Sequence, residues 1–243
     1  MATSFWTRCN PNISIETTTK KFFGRFLYKL VVYAPGSRSV DSKYGIDRDL
    51  ERRKEMYNDQ GTHRYSWWYR RNDTVNQAIA DQLYKIKELK DNRTNLNILV
   101  RIEEPRIQIY SESIEQLEQI VNEYFKDYKS SVEAISEPAS VESTELLNSG
   151  AILTKKSNGY RYKVIVRDGK YTIDTKLQIL NYLESLDDLV KLPHSMYLMM
   201  RKESGYIWNC YFYTNDTGII SFLSLISPNL VSNIHELVAE ADK

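Results

Sequence analysis

The sequence predicts an α+β protein built by internal duplication of one β-α-β-β-α unit. The first evidence is a pair of phrases 135 residues apart: "TKKFFGRFLYKLVV" begins at Thr19 and "TKKSNGYRYKVIV" begins at Thr154. A second pair follows them, because "NDTVNQAIADQLYKI" and "IDTKLQILNYL" share the pattern Asp-Thr-x-x-Gln. Similar blocks that recur in the same order indicate a repeated structural unit.

The spacing of the later blocks supports the same prediction. Thr74 and Arg101 are 27 positions apart, Thr175 and Arg201 are 26 apart, and each arginine opens an Arg-x-Glu triplet. An apolar strand and a Tyr-Ser or Tyr-Thr step follow in both copies, as "RIQIYSES" and "YIWNCYFYTND". We therefore expect two copies of one fold, related by a pseudo-two-fold arrangement.

The first predicted element of each copy is a strand. "FLYKLVVY" and "RYKVIV" are rich in the aromatic and β-branched residues that strands favour. The preceding "TKKxxG" is typical of a hairpin turn, so a further hairpin strand is expected before each of these strands.

A helix and a hairpin come next. The Asp-Thr pairs at 73–74 and 174–175 can cap helices, because their side chains accept hydrogen bonds from free N–H groups. "LNILVRIEEPRIQIYSE" predicts a hairpin that turns at 104–105. "SMYLMMRKESGYIWNCYFYTND" predicts its counterpart in copy 2, turning at 204–205.

Each copy is expected to end in helical structure. "SIEQLEQIVNEYFKDY" has apolar residues at helical spacing. In copy 2, "GIISFLSLISPNLVSNIHELV" contains Pro228, which is expected to break the helix into two pieces. A closing strand in "SSVEAI" would complete the ferredoxin-like order β-α-β-β-α-β.

These patterns divide the chain into three segments. Copy 1 is predicted over 1–129 and copy 2 over 151–243. The segment 130–150 has four glutamates, many serines and no Lys or Arg, which suits a polar linker. Copy 1 also carries a predicted loop insertion at about 36–72 that copy 2 lacks.

The insertion holds the densest aromatic and basic cluster of the chain, "HRYSWWYRR". Single-stranded nucleic acid is held by aromatic rings that stack on bases and by cations that contact phosphates. The cluster is therefore a candidate binding site, with the residues Arg64, Tyr65, Trp67, Trp68, Tyr69, Arg70 and Arg71. The alternative is that Trp67 and Trp68 anchor the insertion on the core.

Two lysine pairs are further candidates, because they recur in the predicted hairpin turns: Lys20, Lys21, Lys155 and Lys156. They suit phosphate contacts, and they equally suit a solvated turn. A second aromatic cluster lies in copy 2, where "GYIWNCYFY" has some likeness to the aromatic strand of RNA-recognition motifs. Ile207 and Asn209 depart from that pattern, so core or subunit-interface packing is expected for Tyr206, Trp208, Tyr211 and Tyr213.

Catalytic motifs are absent from the sequence. The three histidines have no metal-ligand spacing, and neither phosphate loops nor a nucleophile elbow occur. We expect no cofactor, no metal and no enzymatic activity. The carboxylates Asp47, Asp49, Glu51 and Glu55 leave a metal-dependent nuclease as an alternative, although their pattern favours a charged helix.

Composition limits the remaining classes. A hydrophobic share of 42% predicts a packed core, and a net charge of +1 gives no overall attraction to nucleic acid or membrane. With two unpatterned cysteines and no signal or membrane span expected, the prediction is a cytoplasmic protein. Nucleic-acid binding is the preferred function. A structural or assembly subunit, for example of viral origin, that forms a homo-oligomer or binds a partner protein is the alternative.

Overall fold

The computed structural model describes residues 4–58 and 77–239, and the side chains of 53–58 and of residue 77 are outside that description. The chain divides into unit 1, Met1–Val141, and unit 2, Glu142–Lys243. Each unit is built on a five-stranded sheet that mixes parallel and antiparallel pairs, so the protein is of the α+β class.

Unit 1 has one sheet of order β1-β5-β2-β4-β3. Strand β1 is parallel to β5, and the other neighbours are antiparallel. The elements in chain order are α1 (Phe5–Cys9), β1 (Ser14–Thr17), β2 (Tyr28–Tyr33), a 3₁₀ helix (Ser37–Asp41), α2 (Ile46–Asn58), α3 (Gln77–Asp91), β3 (Leu99–Glu103), β4 (Arg106–Ser111), α4 (Ile114–Tyr124), a second 3₁₀ helix (Lys126–Ser131) and β5 (Val132–Glu137).

Unit 2 begins within α5 (Val141–Asn148), and its five-stranded sheet has the order β6-β12-β7-β11-β9. A separate two-stranded ribbon pairs β10 with β8. The remaining elements are β6 (Ile152–Thr154), β7 (Tyr162–Val166), β8 (Gly169–Lys170), α6 (Ile173–Glu184), a 3₁₀ helix (Asp187–Leu189), β9 (Val190–Lys191), α7 (His194–Arg201), β10 (Tyr206–Ile207), β11 (Tyr211–Thr214), α8 (Ile219–Ile226) and β12 (Val231–Ala239).

The two five-stranded sheets have the same topology. In each, the first strand lies at an edge and is parallel to the last. The last strand is antiparallel to the second, the second to the fourth, and the fourth to the third.

Helices cover one face of each sheet. In unit 1, alternate residues of β2, Leu30 and Val32, are fully buried in one cluster with Leu83 of α3 and Leu117 of α4. In unit 2, Val164 and Phe212 enter a separate cluster with residues of α6, α7 and α8. Because side chains alternate along a strand, the intervening residues lie on the opposite sheet face.

Several predicted elements are confirmed. The strands β2 and β7, the hairpin that turns at 104–105, helix α4 and the closing strand β5 all form where the sequence places them. Helix α6 also forms, but its cap is Thr172, whose side chain accepts a hydrogen bond from the N–H of Thr175.

The predicted hairpin strands are a correction. Strands β1 and β6 precede β2 and β7, but neither forms a hairpin with its successor. Strand β5 lies between β1 and β2, and β12 lies between β6 and β7. The "TKKxxG" segments are therefore connections that cross over a neighbouring strand.

The predicted hairpin that turns at 204–205 is also wrong in its first strand, because residues 194–201 form helix α7. Met196 and Met200 are one helical turn apart, and both are buried in the core. The third strand of the sheet is instead the short β9. Pro228 does end helix α8, but the segment after it is strand β12 and not a second helical piece.

The segment 130–150 carries regular structure in place of the predicted linker. It contains β5 in the middle of the unit 1 sheet and helix α5. The reason is that Val132 and Ile135 are buried in the core, which the polar composition around them obscures. In the insertion, residues 37–41 and 46–58 are helical, and residues 59–72 lie outside the described residues.

Candidate nucleic-acid interface

The aromatic-basic cluster of the insertion lies outside the described residues, so Arg64, Tyr65, Trp67, Trp68, Tyr69, Arg70 and Arg71 stay a prediction. The lysine pairs lie in the connections that precede β2 and β7. Lys20, Lys155 and Lys156 are exposed, and Lys21 is partly exposed. That placement is compatible with phosphate contacts and with solvated turns alike.

A different set of aromatic residues of unit 2 points away from its core, two on strand β11 of the five-stranded sheet and two on or beside strand β10 of the ribbon. Ile207, Cys210 and Phe212 are buried in the core cluster. The aromatic residues next to them are exposed or partly exposed, and the chain turns between the two strands at Asn209, whose φ is positive. We call these residues the aromatic stripe: Tyr206, Trp208, Tyr211 and Tyr213.

The exposure of the stripe contradicts the core half of the expected core or subunit-interface packing, and the subunit-interface half stays a prediction. Tyr206 and Trp208 are 46% and 43% exposed, and Tyr211 and Tyr213 are partly exposed. The ring centroids of Tyr206 and Trp208 are 6.1 Å apart, and those of Tyr211 and Tyr213 are 5.5 Å apart. The stripe thus consists of two ring pairs, one at the ribbon and one on β11.

Lysines flank the stripe. The Nζ atom of Lys163 lies 3.8 Å from the ring centroid of Tyr211, and that of Lys202 lies 5.8 Å from the ring centroid of Trp208. Strand register places Lys191 beside Tyr213, and Lys170 beside Tyr206. Cations beside aromatic faces are the pairing that binds bases and phosphates together.

Few carboxylates neutralise these lysines. Within residues 4–58 and 77–239, no ion pair joins Lys170, Lys191 or Lys202 to a carboxylate. At the far end of the face, Arg161 pairs with Glu236 at 2.9 Å. Asp168 lies near the ribbon, where its carboxylate accepts a hydrogen bond of 2.9 Å from the N–H of Asn209.

A fully buried lysine holds the turn that leads to the stripe. Lys176 of α6 donates through Nζ to the carbonyl oxygens of Met199 at 3.3 Å and Ser204 at 2.8 Å, and to that of Lys202. These carbonyls follow the last turn of α7, where free carbonyl groups carry partial negative charge. Sequence reasoning missed this residue, although its spacing to Ile179, Leu180 and Leu183 places it on the buried helix face.

The Cys210 thiol and the Tyr213 phenol remain protonated at neutral pH. Burial raises the pKa of the Cys210 thiol to about 11; Asp168 adds to the effect and Lys176 opposes it. Burial also raises the pKa of the Tyr213 phenol, with a contribution from Tyr211. The stripe therefore carries no negative charge of its own that would repel a phosphate.

The corresponding face of unit 1 has a different chemistry. Its cations are paired with carboxylates: Lys29 with Glu16 at 3.3 Å, Arg101 with Glu103 at 3.1 Å, and Arg106 with Glu133. Tyr110 on this face is only 4% exposed, and Tyr33, opposite Arg106, is partly exposed. Because these cations are paired and Tyr110 is covered, we place the candidate interface in unit 2.

Two of the candidate carboxylates of α2 accept hydrogen bonds within unit 1. Asp49 accepts a hydrogen bond of 2.6 Å from Ser39, and Asp47 accepts one from the hydroxyl of Tyr84. Across the described ranges, no group of three or more His, Cys, Asp and Glu side chains could hold a metal ion. None of the helices in that part of the chain is both long and apolar enough to cross a membrane.

No protein-family model, curated protein or solved structure matches this chain.

Proposed function

We propose that the chain binds single-stranded nucleic acid without catalysing a reaction, and that the aromatic stripe of unit 2 is the contact surface. The observation that carries the proposal is the exposure of Tyr206 and Trp208, and the partial exposure of Tyr211 and Tyr213, beside lysines. Aromatic side chains bury large area and are usually enclosed when packing is their role. Here they are presented to solvent.

The rings favour a single strand over a duplex. Bases in a duplex are stacked on each other and expose only their edges in the grooves, so they cannot stack on a tyrosine ring. Unpaired bases can, and the neighbouring lysines are placed to contact the phosphates that connect them. The net charge of +1 means that this attraction is local.

An internal duplication of a ferredoxin-like unit is part of the same proposal. Two residue-level correspondences support it beyond the shared strand order. Lys29 lies opposite Tyr110 in unit 1, as Lys163 lies opposite Tyr213 in unit 2. Ser111 and Thr214, which follow those tyrosines, both accept a hydrogen bond from the N–H two residues later.

The test is a fluorescence anisotropy titration with labelled single-stranded DNA and RNA at low ionic strength. Tyr211→Ala and Tyr213→Ala should each weaken binding by about 1–3 kcal/mol, or roughly 5- to 150-fold in Kd. Tyr84→Ala is the control, because Tyr84 is an exposed tyrosine on α3 of unit 1. Absence of salt-sensitive binding, or an equal loss in Tyr84→Ala, would refute the proposal.

An assembly subunit is the second candidate, and helix α8 favours it. Leu225 is 81% exposed and Phe222 is exposed beside it. Residues 217–234 contain no Asp, Glu, Lys or Arg. Apolar surface of this kind is typical of protein–protein contacts. Light scattering separates the candidates: an oligomer that forms without nucleic acid and dissociates in Leu225→Asp supports assembly.

A further inference from the structure

Tyr110 of unit 1 occupies the position in its sheet that Tyr213 occupies in unit 2. The residues that surround Tyr110 show which segment covers this face of the sheet. Tyr110 lies opposite Lys29 in the sheet of unit 1 and is buried, but it is not part of the core cluster under the helices. It is therefore buried from the other side of the sheet. The segment that covers it is the connection between β1 and β2.

Three phenylalanine rings of that connection pack on Tyr110. The ring centroids of Phe22, Phe23 and Phe26 lie 5.4, 5.0 and 6.3 Å from the centroid of Tyr110. Backbone hydrogen bonds between Phe22 and Phe26, of 2.8 and 2.9 Å, close the connection into a compact loop. We call residues 22–26 the aromatic loop.

Cations flank the outer two rings. Lys29 Nζ lies 5.4 Å from the ring centroid of Phe22, and the guanidinium of Arg101 lies 5.4 Å from that of Phe23. The ring planes of Phe22 and Phe23 are inclined by 55° and 89° to that of Tyr110, so they meet it tilted and edge-on. The loop therefore covers an aromatic ring that lies beside cations, the combination that binds unpaired bases, and Lys29 and Arg101 also pair with Glu16 and Glu103.

The aromatic loop is held in a disfavoured backbone conformation. Phe23 has a φ of 54°, in the left-handed region that aromatic side chains rarely adopt, and it is 57% exposed. An exposed aromatic ring gains little from burial to offset that conformation. The contacts of the Phe23 ring with Tyr110 and Arg101 are the interactions that offset the cost of this backbone conformation.

Copy 2 lacks the two phenylalanines. The phrases "TKKFFG" and "TKKSNG" align through Gly24 and Gly159, both of which have positive φ. Ser157 and Asn158 therefore stand where copy 1 has Phe22 and Phe23. Tyr213 is partly exposed, and the one ring of this connection near it, Tyr160, has its centroid 6.5 Å from that of Tyr213.

We infer that unit 1 carries a second binding position for single-stranded nucleic acid, closed by its own aromatic loop, with Phe22 and Phe23 covering the Tyr110 ring on which a base would stack. This inference rests on the proposed function of the stripe. The intact chain then binds one strand, through unit 2. Removing the two phenylalanines opens the position on Tyr110.

The experiment measures the binding stoichiometry of the full chain by isothermal titration calorimetry. The probe is single-stranded oligothymidylate of about six nucleotides, close to the site size of one small binding domain. The wild-type chain should bind one oligonucleotide, and F22S/F23N, which copies the residues of unit 2, should bind two. Adding Tyr110→Ala to that variant should return the stoichiometry to one.

Tyr44→Ser is the matched control, because Tyr44 is an exposed aromatic residue of unit 1 that also lies beside cations, Lys43 and Arg48. It should leave the stoichiometry at one. If the double variant does not fold, Phe23→Asn replaces it, since asparagine tolerates positive φ. That variant should also show a second site.

The outcomes separate the inference from the proposed function. A wild-type chain that binds one strand and an F22S/F23N variant that still binds one would overturn the inference alone. If the wild type does not bind and the variant binds one strand, the unit 1 position stands and the stripe of unit 2 does not. If neither chain binds, both are refuted.

Discussion

Lys176 is the residue on which the position of the ribbon strand β10 depends most directly. Its ammonium group donates to three backbone carbonyls at and after the end of helix α7, those of Met199, Lys202 and Ser204. A buried charge normally costs stability unless it is fully hydrogen-bonded, and this one uses all three of its donors. The residue thus links the helical layer to the turn before the stripe.

Replacing Lys176 with methionine should therefore destabilise the chain. Lys176→Met keeps the side-chain length but removes the donors, so we expect the free energy of unfolding to fall by about 2–4 kcal/mol. Lys170→Met is the matched control on an exposed lysine and should change it by no more than about 0.5 kcal/mol. Urea denaturation measures both. Equal effects in the two variants would refute the structural role of Lys176.

The buried thiol of Cys210 should make the free energy of unfolding depend on pH. Its pKa is raised from 9.0 to about 11 in the folded chain, mainly by burial. The folded state therefore favours the protonated thiol, and this contribution is complete below pH 9. It is lost as the pH rises from 9 past 11, and the total loss of unfolding free energy is roughly 2.7 kcal/mol.

The measurement is the unfolding free energy of the wild type and of Cys210→Ala between pH 8 and about pH 11. The wild type should lose more stability than the variant over this interval, because tyrosines titrate in both chains and cancel in the comparison. Parallel curves would show that the thiol is not protected by burial.

At the scale of elements, the sequence predicted the strands and helices whose pattern is strong. Strand β2, hairpin β3–β4 and helix α4 have clear periods of two or near 3.6 residues. Segment 194–201 was predicted as a strand because its apolar and aromatic residues also suit strands. Only the burial of Met196 and Met200 identifies it as a helix.

The stripe itself was visible in the sequence, but its orientation was not. Aromatic residues at Tyr206, Trp208, Tyr211 and Tyr213 do not alternate regularly, since Asn209 adds a residue to the strand. Which side faces the core depends on Ile207, Cys210 and Phe212 entering it. Long-range packing of this kind cannot be read from a local pattern. The function of the stripe remains a proposal.

Replacing Lys191 tests whether the five-stranded sheet of unit 2 contacts the phosphates of a bound strand. It lies beside Tyr213 at the edge strand β9 and is exposed. Lys191→Ala should weaken binding of a single strand equally for different sequences and reduce the slope of log K against log salt by about 0.7. Lys87→Ala, an exposed lysine on α3, is the control. An unchanged slope in Lys191→Ala would exclude a phosphate contact there.

At the scale of the whole molecule, the net charge of +1 limits what electrostatics can contribute. Binding should depend on salt only through the few lysines near the stripe: Lys163, Lys170, Lys191 and Lys202. Four phosphate contacts give a slope of about −3 for a single strand. A much steeper slope, measured by titration at several salt concentrations, would mean that further cations take part, with the insertion as the first candidate.

The sequence repeat indicated two copies, and the strand order of the two sheets agrees with it. What the repeat could not indicate is how the copies differ in use. Phe22 and Phe23 in one copy and Ser157 and Asn158 in the other look like ordinary loop variation in the sequence. The role proposed for Phe22 and Phe23 depends on their contacts with Tyr110, which form only in the folded chain.

Ultraviolet cross-linking of the full chain to single-stranded RNA, with the attachment points located by mass spectrometry, tests the central claim most directly. It identifies the residues that contact bases without altering any of them. We expect cross-links at Tyr206, Trp208, Tyr211 and Tyr213, with none at the exposed Tyr84 of unit 1. Cross-links confined to residues 59–76, or to the helical side of unit 2, would contradict the account.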